Sequence, residues 1–167
     1  MARRFTLAAG ALLLSLAVCA AQQLPWQVRP QPDAAAGPVQ YEYPEQVQLT
    51  RGKPGDVDLH FRIRDGLHIN SHAPYDKSFI RTELIVAEPP GIDVQAVTFP
   101  QGTDFALKAF PGQKLSVYTG EVVLHARLLA TEPGQHMLNA ALRYQACDAD
   151  TCFPPKKAPV ALDVVVR

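Results

Sequence analysis

The sequence predicts an all-β protein, an immunoglobulin-like β-sandwich that follows a cleaved signal peptide. From residue 39 onward, apolar and polar side chains alternate in runs of two-residue period, which is typical of strands with one buried face. Turn signals rich in proline and glycine separate these runs. The 15 prolines exclude a mostly helical protein, because a proline inside a helix costs about 3 kcal/mol. Seven or so short strands with such turns are typical of this sandwich architecture.

Residues 1–21 have the pattern of a secretory signal peptide. Arg3 and Arg4 precede an apolar stretch that small residues close. The apolar stretch 6–21 is shorter than the roughly 20 residues that span a bilayer, so a retained membrane anchor is the less favoured alternative. We therefore expect a periplasmic or secreted protein.

Lipid anchoring is a second alternative for the same segment. It would require Cys19 to be the acylated residue, but Val18 precedes it where a small residue is usual. Removal of residues 1–21 would leave two cysteines in a compartment where a disulfide can form and persist.

Residues 22–38 are expected to form a proline-rich leader, and residues 39–167 one domain. The whole chain balances 16 basic against 16 acidic residues. This balance gives no reason to expect nucleic acid as a partner, because phosphate binding needs a basic excess. We expect a monomer.

Within the domain, alternation predicts the individual strands. It is strongest at 57–63, 138–144 and 160–166, and weaker strands are expected at 46–50, 82–87, 92–99 and 121–130. Two long connections, Gly66–Ile80 and Gly102–Tyr118, depart from this rhythm. Connections of this length are often functional or disordered, and the aromatic and apolar content of the second disfavours disorder.

Cys147 and Cys152 are the candidate functional pair. A disulfide closing so short a loop contributes only about 2 kcal/mol, against roughly 4 for a long loop, so stability is a weak reason for it. A redox pair, a structural staple and a metal site all remain open from spacing alone. Asp148 and Asp150 should raise the thiol pKa values, and no helix start is visible to lower them. The pair therefore suits a disulfide attacked by another protein's thiolate, or a dithiol activated in a complex.

Residues 142–155 read LRYQACDADTCFPP. This segment resembles the amino-terminal periplasmic domain of the thiol:disulfide interchange protein DsbD. The shared pattern is a Tyr-Gln-x-Cys strand end, an acidic loop, a second cysteine, an aromatic residue and Pro-Pro, and the matching residues around the cysteines are Tyr144, Asp148, Asp150, Phe153 and Pro154. The resemblance spans about residues 40–165. It departs in one respect: four residues separate the cysteines here, and five do so in the best-known member.

The resemblance implies a protein-disulfide reductase-type domain whose two cysteines cycle between dithiol and disulfide without a cofactor. By this analogy, Cys152 forms the mixed disulfide and Cys147 resolves it. The donor would be a thioredoxin-like protein or a membrane electron conduit, and the acceptors would be periplasmic disulfide oxidoreductases, including those of cytochrome c biogenesis. The alternative is a non-catalytic secreted binding or adaptor domain with a structural disulfide.

The resemblance also implies a loop that caps the cysteine pair. Phe110 is the best match for the capping aromatic residue and Phe105 the second, while His68 belongs to the surroundings of the pair. His68 and His72 have a spacing that suits a metal only on a helix, and this region does not read as helical. The family protein continues into a membrane conduit and a thioredoxin-like domain, so we expect this chain either to take electrons from separate proteins or to do something else with the same fold.

Overall fold

The computed structural model describes residues 37–42, 46–87, 89–106 and 112–167. Within these ranges the chain forms strands and turns and no helix, so none is present that could cross a membrane. The strands form three four-stranded sheets, and the predicted all-β sandwich is confirmed. The predicted signal peptide, almost all of the leader and Phe110 lie outside the described residues.

The first sheet is antiparallel and has the strand order β1-β3-β9-β6. The predicted strands 57–63, 92–99 and 121–130 all belong to it. Its longest strands alternate buried and exposed residues, as period-2 patterning requires. Their bounds are β1 Val39–Glu42, β3 Pro54–Ile63, β6 Ile92–Thr98 and β9 Glu121–Ala130.

The second sheet has the order β2-β12-β10-β5, in which only the β2–β12 pair is parallel. The remaining predicted strands belong to this sheet. The bounds are β2 Val47–Leu49, β5 Glu83–Ala87, β10 Gly134–Tyr144 and β12 Lys156–Val166.

The core draws on both sheets. Phe61 and Leu124 of the first sheet and Leu142 and Val164 of the second are each 0% exposed and belong to one continuous apolar cluster. Burying a side chain of this size contributes roughly 1.5–3 kcal/mol. The sandwich is therefore held by apolar burial from two sheets rather than by its single short-range disulfide.

The third sheet was not predicted. It has the order β11-β4-β8-β7, and three of its four strands lie in the two segments that the sequence analysis treated as long connections. The correction has a physical reason: the strands are short, and β4 is buried along its whole length, so no alternation marks it. The bounds are β4 His68–Asn70, β7 Thr103–Ala106, β8 Lys114–Tyr118 and β11 Ala146–Cys147.

A tight turn delivers β4 to this sheet. The Leu67 N–H donates to Arg64 O at 3.1 Å, within the usual range for an N–H···O hydrogen bond. Gly66 adopts a φ of 78°, a left-handed conformation that glycine enters without steric cost. The predicted Asp65-Gly66 turn thus places His68 directly beside the cysteine-bearing strand.

Candidate functional site

The cysteine pair lies on a small hairpin that leaves the second sheet and joins the third. The strand β10 ends at Tyr144, and Cys147 pairs with His68 of β4 in antiparallel register. Cys147 and Cys152 form an isolated antiparallel bridge and a disulfide, with their Cα atoms 4.0 Å apart. The Phe153 N–H donates to Ala146 O at 2.8 Å and extends this pairing beyond the disulfide.

The turn of the hairpin is organised by Asp148. Its Oδ1 accepts the backbone N–H groups of Asp150 at 2.8 Å and Thr151 at 2.7 Å, and its own N–H donates to Thr151 O at 2.9 Å. The two N–H donors hold the pKa of the Asp148 carboxyl below its usual value. Asp148 therefore shapes the loop in addition to carrying the charge noted in the sequence.

The two cysteines have opposite environments. Cys147 is 0% exposed, whereas Cys152 is exposed. Thiol exchange requires in-line access of the attacking sulfur to the sulfur under attack. Of the two, only Cys152 lies where another protein could approach it without prior opening of the fold.

Gln145 fixes the segment that follows the disulfide, a role that was not predicted from the sequence. Its side-chain Nε2 donates to Phe153 O at 3.1 Å. Phe153 is half-buried and packs against the core, while Pro154 is exposed. The residue lies in the run LRYQACDADTCFPP quoted above, but a hydrogen bond across the hairpin carries no periodic signal by which it could be predicted.

His68 lies beneath an aromatic ring. It is 2% exposed, and its imidazole packs against Phe105 of β7 with a centroid distance of 4.2 Å and an interplanar angle of 34°. Burial lowers the pKa of His68 below its usual value, and the negative charge of Asp148 acts in the opposite direction. The sequence placed His68, Phe105 and Asp148 in one region, and the structure brings all three to the hairpin.

A cavity of about 380 Å³ opens beside this cluster. His68 and Phe105 contribute to its wall together with Ala149 of the hairpin turn, Arg64 and Gly66. Tyr144, in contrast, is 1% exposed and belongs to the core, where burial raises the pKa of its phenol. It supports the hairpin from within the sandwich.

The second histidine of the first long connection points elsewhere. His72 stacks on Phe99 with a centroid distance of 4.0 Å, and its Nδ1 bonds Thr82 O at 2.9 Å. Among the residues that the structure describes, no group of three or more His, Cys, Asp or Glu side chains is arranged to hold a metal ion.

Fold and site together define a class: an all-β domain that carries a hairpin disulfide with one exposed and one buried cysteine. The chain belongs to the family described as thiol:disulfide interchange protein DsbD, N-terminal, which matches residues 35–163. The resemblance noted in the sequence is thereby confirmed. No curated protein matches the chain.

Three solved structures are similar to the chain at low identity. The N-terminal periplasmic domain of ScsB from Proteus mirabilis is 15% identical with a TM-score of 0.48, over 75% of this chain and 44% of that one. The reduced DsbD n-terminal domain from Neisseria meningitidis is 16% identical with a TM-score of 0.38, over 63% of this chain and 74% of that one. The complex between the DsbD N-terminal and PilB N-terminal domains from the same organism is 18% identical with a TM-score of 0.40, over 64% of this chain and 73% of that one. The chain thus spans less than half of the ScsB structure.

Proposed function

We propose that this protein carries electrons by thiol–disulfide exchange through Cys147 and Cys152. The donor is a thioredoxin-like protein or a membrane electron conduit, and the acceptors are periplasmic disulfide oxidoreductases. One observation carries the proposal: the two bonded cysteines differ in exposure, so an incoming thiolate meets one sulfur and not the other. Membership of the interchange family supports it.

The exposure of the pair assigns a role to each sulfur. A donor thiolate attacks Cys152 Sγ, the intramolecular S–S bond breaks, and Cys147 leaves as the thiolate. The donor's second thiolate then attacks the donor sulfur in the mixed disulfide. The donor's own disulfide forms, and Cys152 is released as a thiolate. The same two steps in reverse pass the electron pair to an acceptor disulfide, with Cys152 attacking first and Cys147 resolving.

The surrounding residues support this exchange. Asp148 holds the hairpin turn, Asp150 adds a negative charge, and Phe153 and Pro154 lead the chain away from the disulfide. Phe110 is the first candidate for the cap residue and Phe105, which packs on His68, is the second. A lid of this kind slows every reagent except a partner that displaces it.

We further propose that residues 39–167 are the exchange domain and act in the periplasm, after removal of the signal peptide 1–21 and with 22–38 as leader. The family match supports this placement. Sulfur holds the electrons at every step, so the exchange itself needs no cofactor.

A trapping experiment tests the role of each cysteine. Cys147→Ala, mixed with a thioredoxin-like domain that keeps only its attacking cysteine as a mixed disulfide with thionitrobenzoate, should displace thionitrobenzoate and accumulate an intermolecular disulfide through Cys152, because neither protein retains a resolving sulfur. Cys152→Ala is the matched control and should trap little, since its remaining thiol is buried. Non-reducing electrophoresis measures the amount of intermolecular disulfide in both variants. Trapping in Cys152→Ala alone would reverse the roles, and trapping in neither would favour a binding or adaptor domain with a structural disulfide.

A further inference from the structure

The buried imidazole of His68 has a ring nitrogen that the fold leaves unsatisfied. In the part of the chain that the structure describes, His68 Nε2 is buried and has no hydrogen-bond partner. A buried polar atom without a partner costs free energy. Such an atom in a native fold calls for an explanation, for example a partner that is present in another chemical state of the protein.

The strand register places Cys147, whose chemical state changes on reduction, next to His68. His68 and Cys147 are directly opposite each other in the β4–β11 pair. Residues in such positions have their Cβ atoms about 4.5–5.5 Å apart on the same face of the sheet. In the disulfide, Cys147 has no S–H group to donate. In the dithiol it has one, and its buried position keeps that group away from water.

We propose that His68 accepts the proton of the Cys147 thiol when Cys147 resolves a mixed disulfide. This inference rests on the proposed function and adds the proton acceptor to it. The proton passes from Cys147 Sγ to the imidazole, the Cys147–Cys152 S–S bond forms, and the bond from Cys152 to the acceptor breaks. The acceptor sulfur leaves as a thiolate with the electron pair, and the imidazolium returns its proton to solvent through the adjoining cavity.

The charges around His68 suit this task. Burial favours the neutral imidazole, the form that can accept a proton, and Asp148 of the hairpin favours the imidazolium once it forms. Arg64 and Asp65 line the same cavity with opposite charges. Phe105 covers the ring and restricts competing access to it.

Stopped-flow oxidation of the reduced protein by dithiodipyridine separates the two steps. Attack by Cys152 releases a first pyridinethione, and resolution by Cys147 releases the second. His68→Gln retains hydrogen bonding but cannot act as a base near neutral pH. We therefore expect its second phase to slow roughly 10²-fold at neutral pH, which is the lower end of the range for general-base catalysis. His125→Gln is the matched control, because His125 pairs with Asp58 at 2.6 Å on an exposed strand position.

The pH profile separates proton acceptance from a structural role. In the wild type, the second phase should become independent of pH above the pKa of His68. In His68→Gln it should rise about tenfold per pH unit until the thiol ionises, because only the thiolate attacks. Equal second-phase rates and profiles in the two proteins would overturn the inference while leaving the proposed function intact. A wild type that releases only one pyridinethione per molecule would overturn both.

Nuclear magnetic resonance of the unsubstituted protein provides a test that does not depend on the folding of a variant. With isotope-labelled histidine, reduction of the disulfide should shift the Nε2 signal of His68 and leave that of His125 in place. A His68 signal that does not respond to reduction would contradict the proposal.

Discussion

At the scale of single residues, the two aspartates of the hairpin have different functions despite their similar positions in the sequence. Asp148 accepts two backbone N–H groups and closes the turn, whereas no hydrogen bond from the Asp150 side chain is found among the described residues. The sequence predicted that both would act through charge alone. Local side-chain-to-backbone hydrogen bonds of this kind are common in turns, so the aspartate itself was the available signal.

Asp148→Ala should therefore loosen the hairpin and make the disulfide react severalfold faster with dithiothreitol. Asp150→Ala is the matched control, since it removes the same charge without removing the turn hydrogen bonds. Free-thiol quantification over time measures both. Equal acceleration in the two variants would show that charge, not the turn, controls reactivity.

The lowered pKa of Asp148 also determines the direction in which the stability of the hairpin changes with pH. A carboxyl whose pKa is lower in the folded protein stabilises it above the usual carboxyl range and loses that contribution as pH falls through the lowered value. We expect backbone amide exchange at Asp150 and Thr151 to stay protected, relative to Asp148→Ala, until the pH drops below that range. Protection lost already near neutral pH would contradict this.

At the scale of the elements, the short third sheet builds the site. It places Cys147 opposite His68 through β11 and β4, and Phe105 over His68 through β7. The long strands of the sandwich support this sheet without reaching the sulfurs. Reactivity should therefore depend on β7 and β8 more than on the core strands.

Phe105→Ala should expose His68, which lies opposite Cys147, and increase the rate of reaction of the disulfide with small thiols severalfold. Phe99→Ala is a suitable control because Phe99 packs on His72 instead. Reaction with dithiothreitol measures the difference. Equal rates in Phe105→Ala and the wild type would assign Phe105 to packing alone.

The elements also show what the sequence could predict. Strands with one buried face, such as β3 and β12, are predictable from the alternation of apolar and polar residues. The cysteine pair is predictable from its spacing and from the family pattern. The third sheet escaped prediction because β4 is buried on both faces and β11 has two residues. The contacts of His68 and Gln145 depend on the pairing of such strands and were not predictable from local sequence.

At the scale of the whole molecule, the core and the disulfide are energetically separate. The core combines side chains from two large sheets, while a disulfide across so short a loop contributes only about 2 kcal/mol. The fold should therefore tolerate repeated opening and closing of the S–S bond. This independence is what a domain that alternates between two redox states requires.

Leu124→Ala should lower the free energy of unfolding by about 2–5 kcal/mol, because Leu124 is a large apolar residue at the centre of the core. It should leave the reactivity of the folded disulfide unchanged. Chemical denaturation measures the first effect and dithiothreitol kinetics the second. A large change in reactivity in this folded variant would contradict the separation of core and site.

The most direct test is a redox titration of the purified protein against glutathione, with free thiols and circular dichroism followed together. We predict reversible reduction of Cys147 and Cys152 at a potential well above the roughly −300 mV that marks structural disulfides, with an unchanged β-sheet spectrum. A disulfide that resists reduction, or a fold that is lost when the bond opens, would contradict the account.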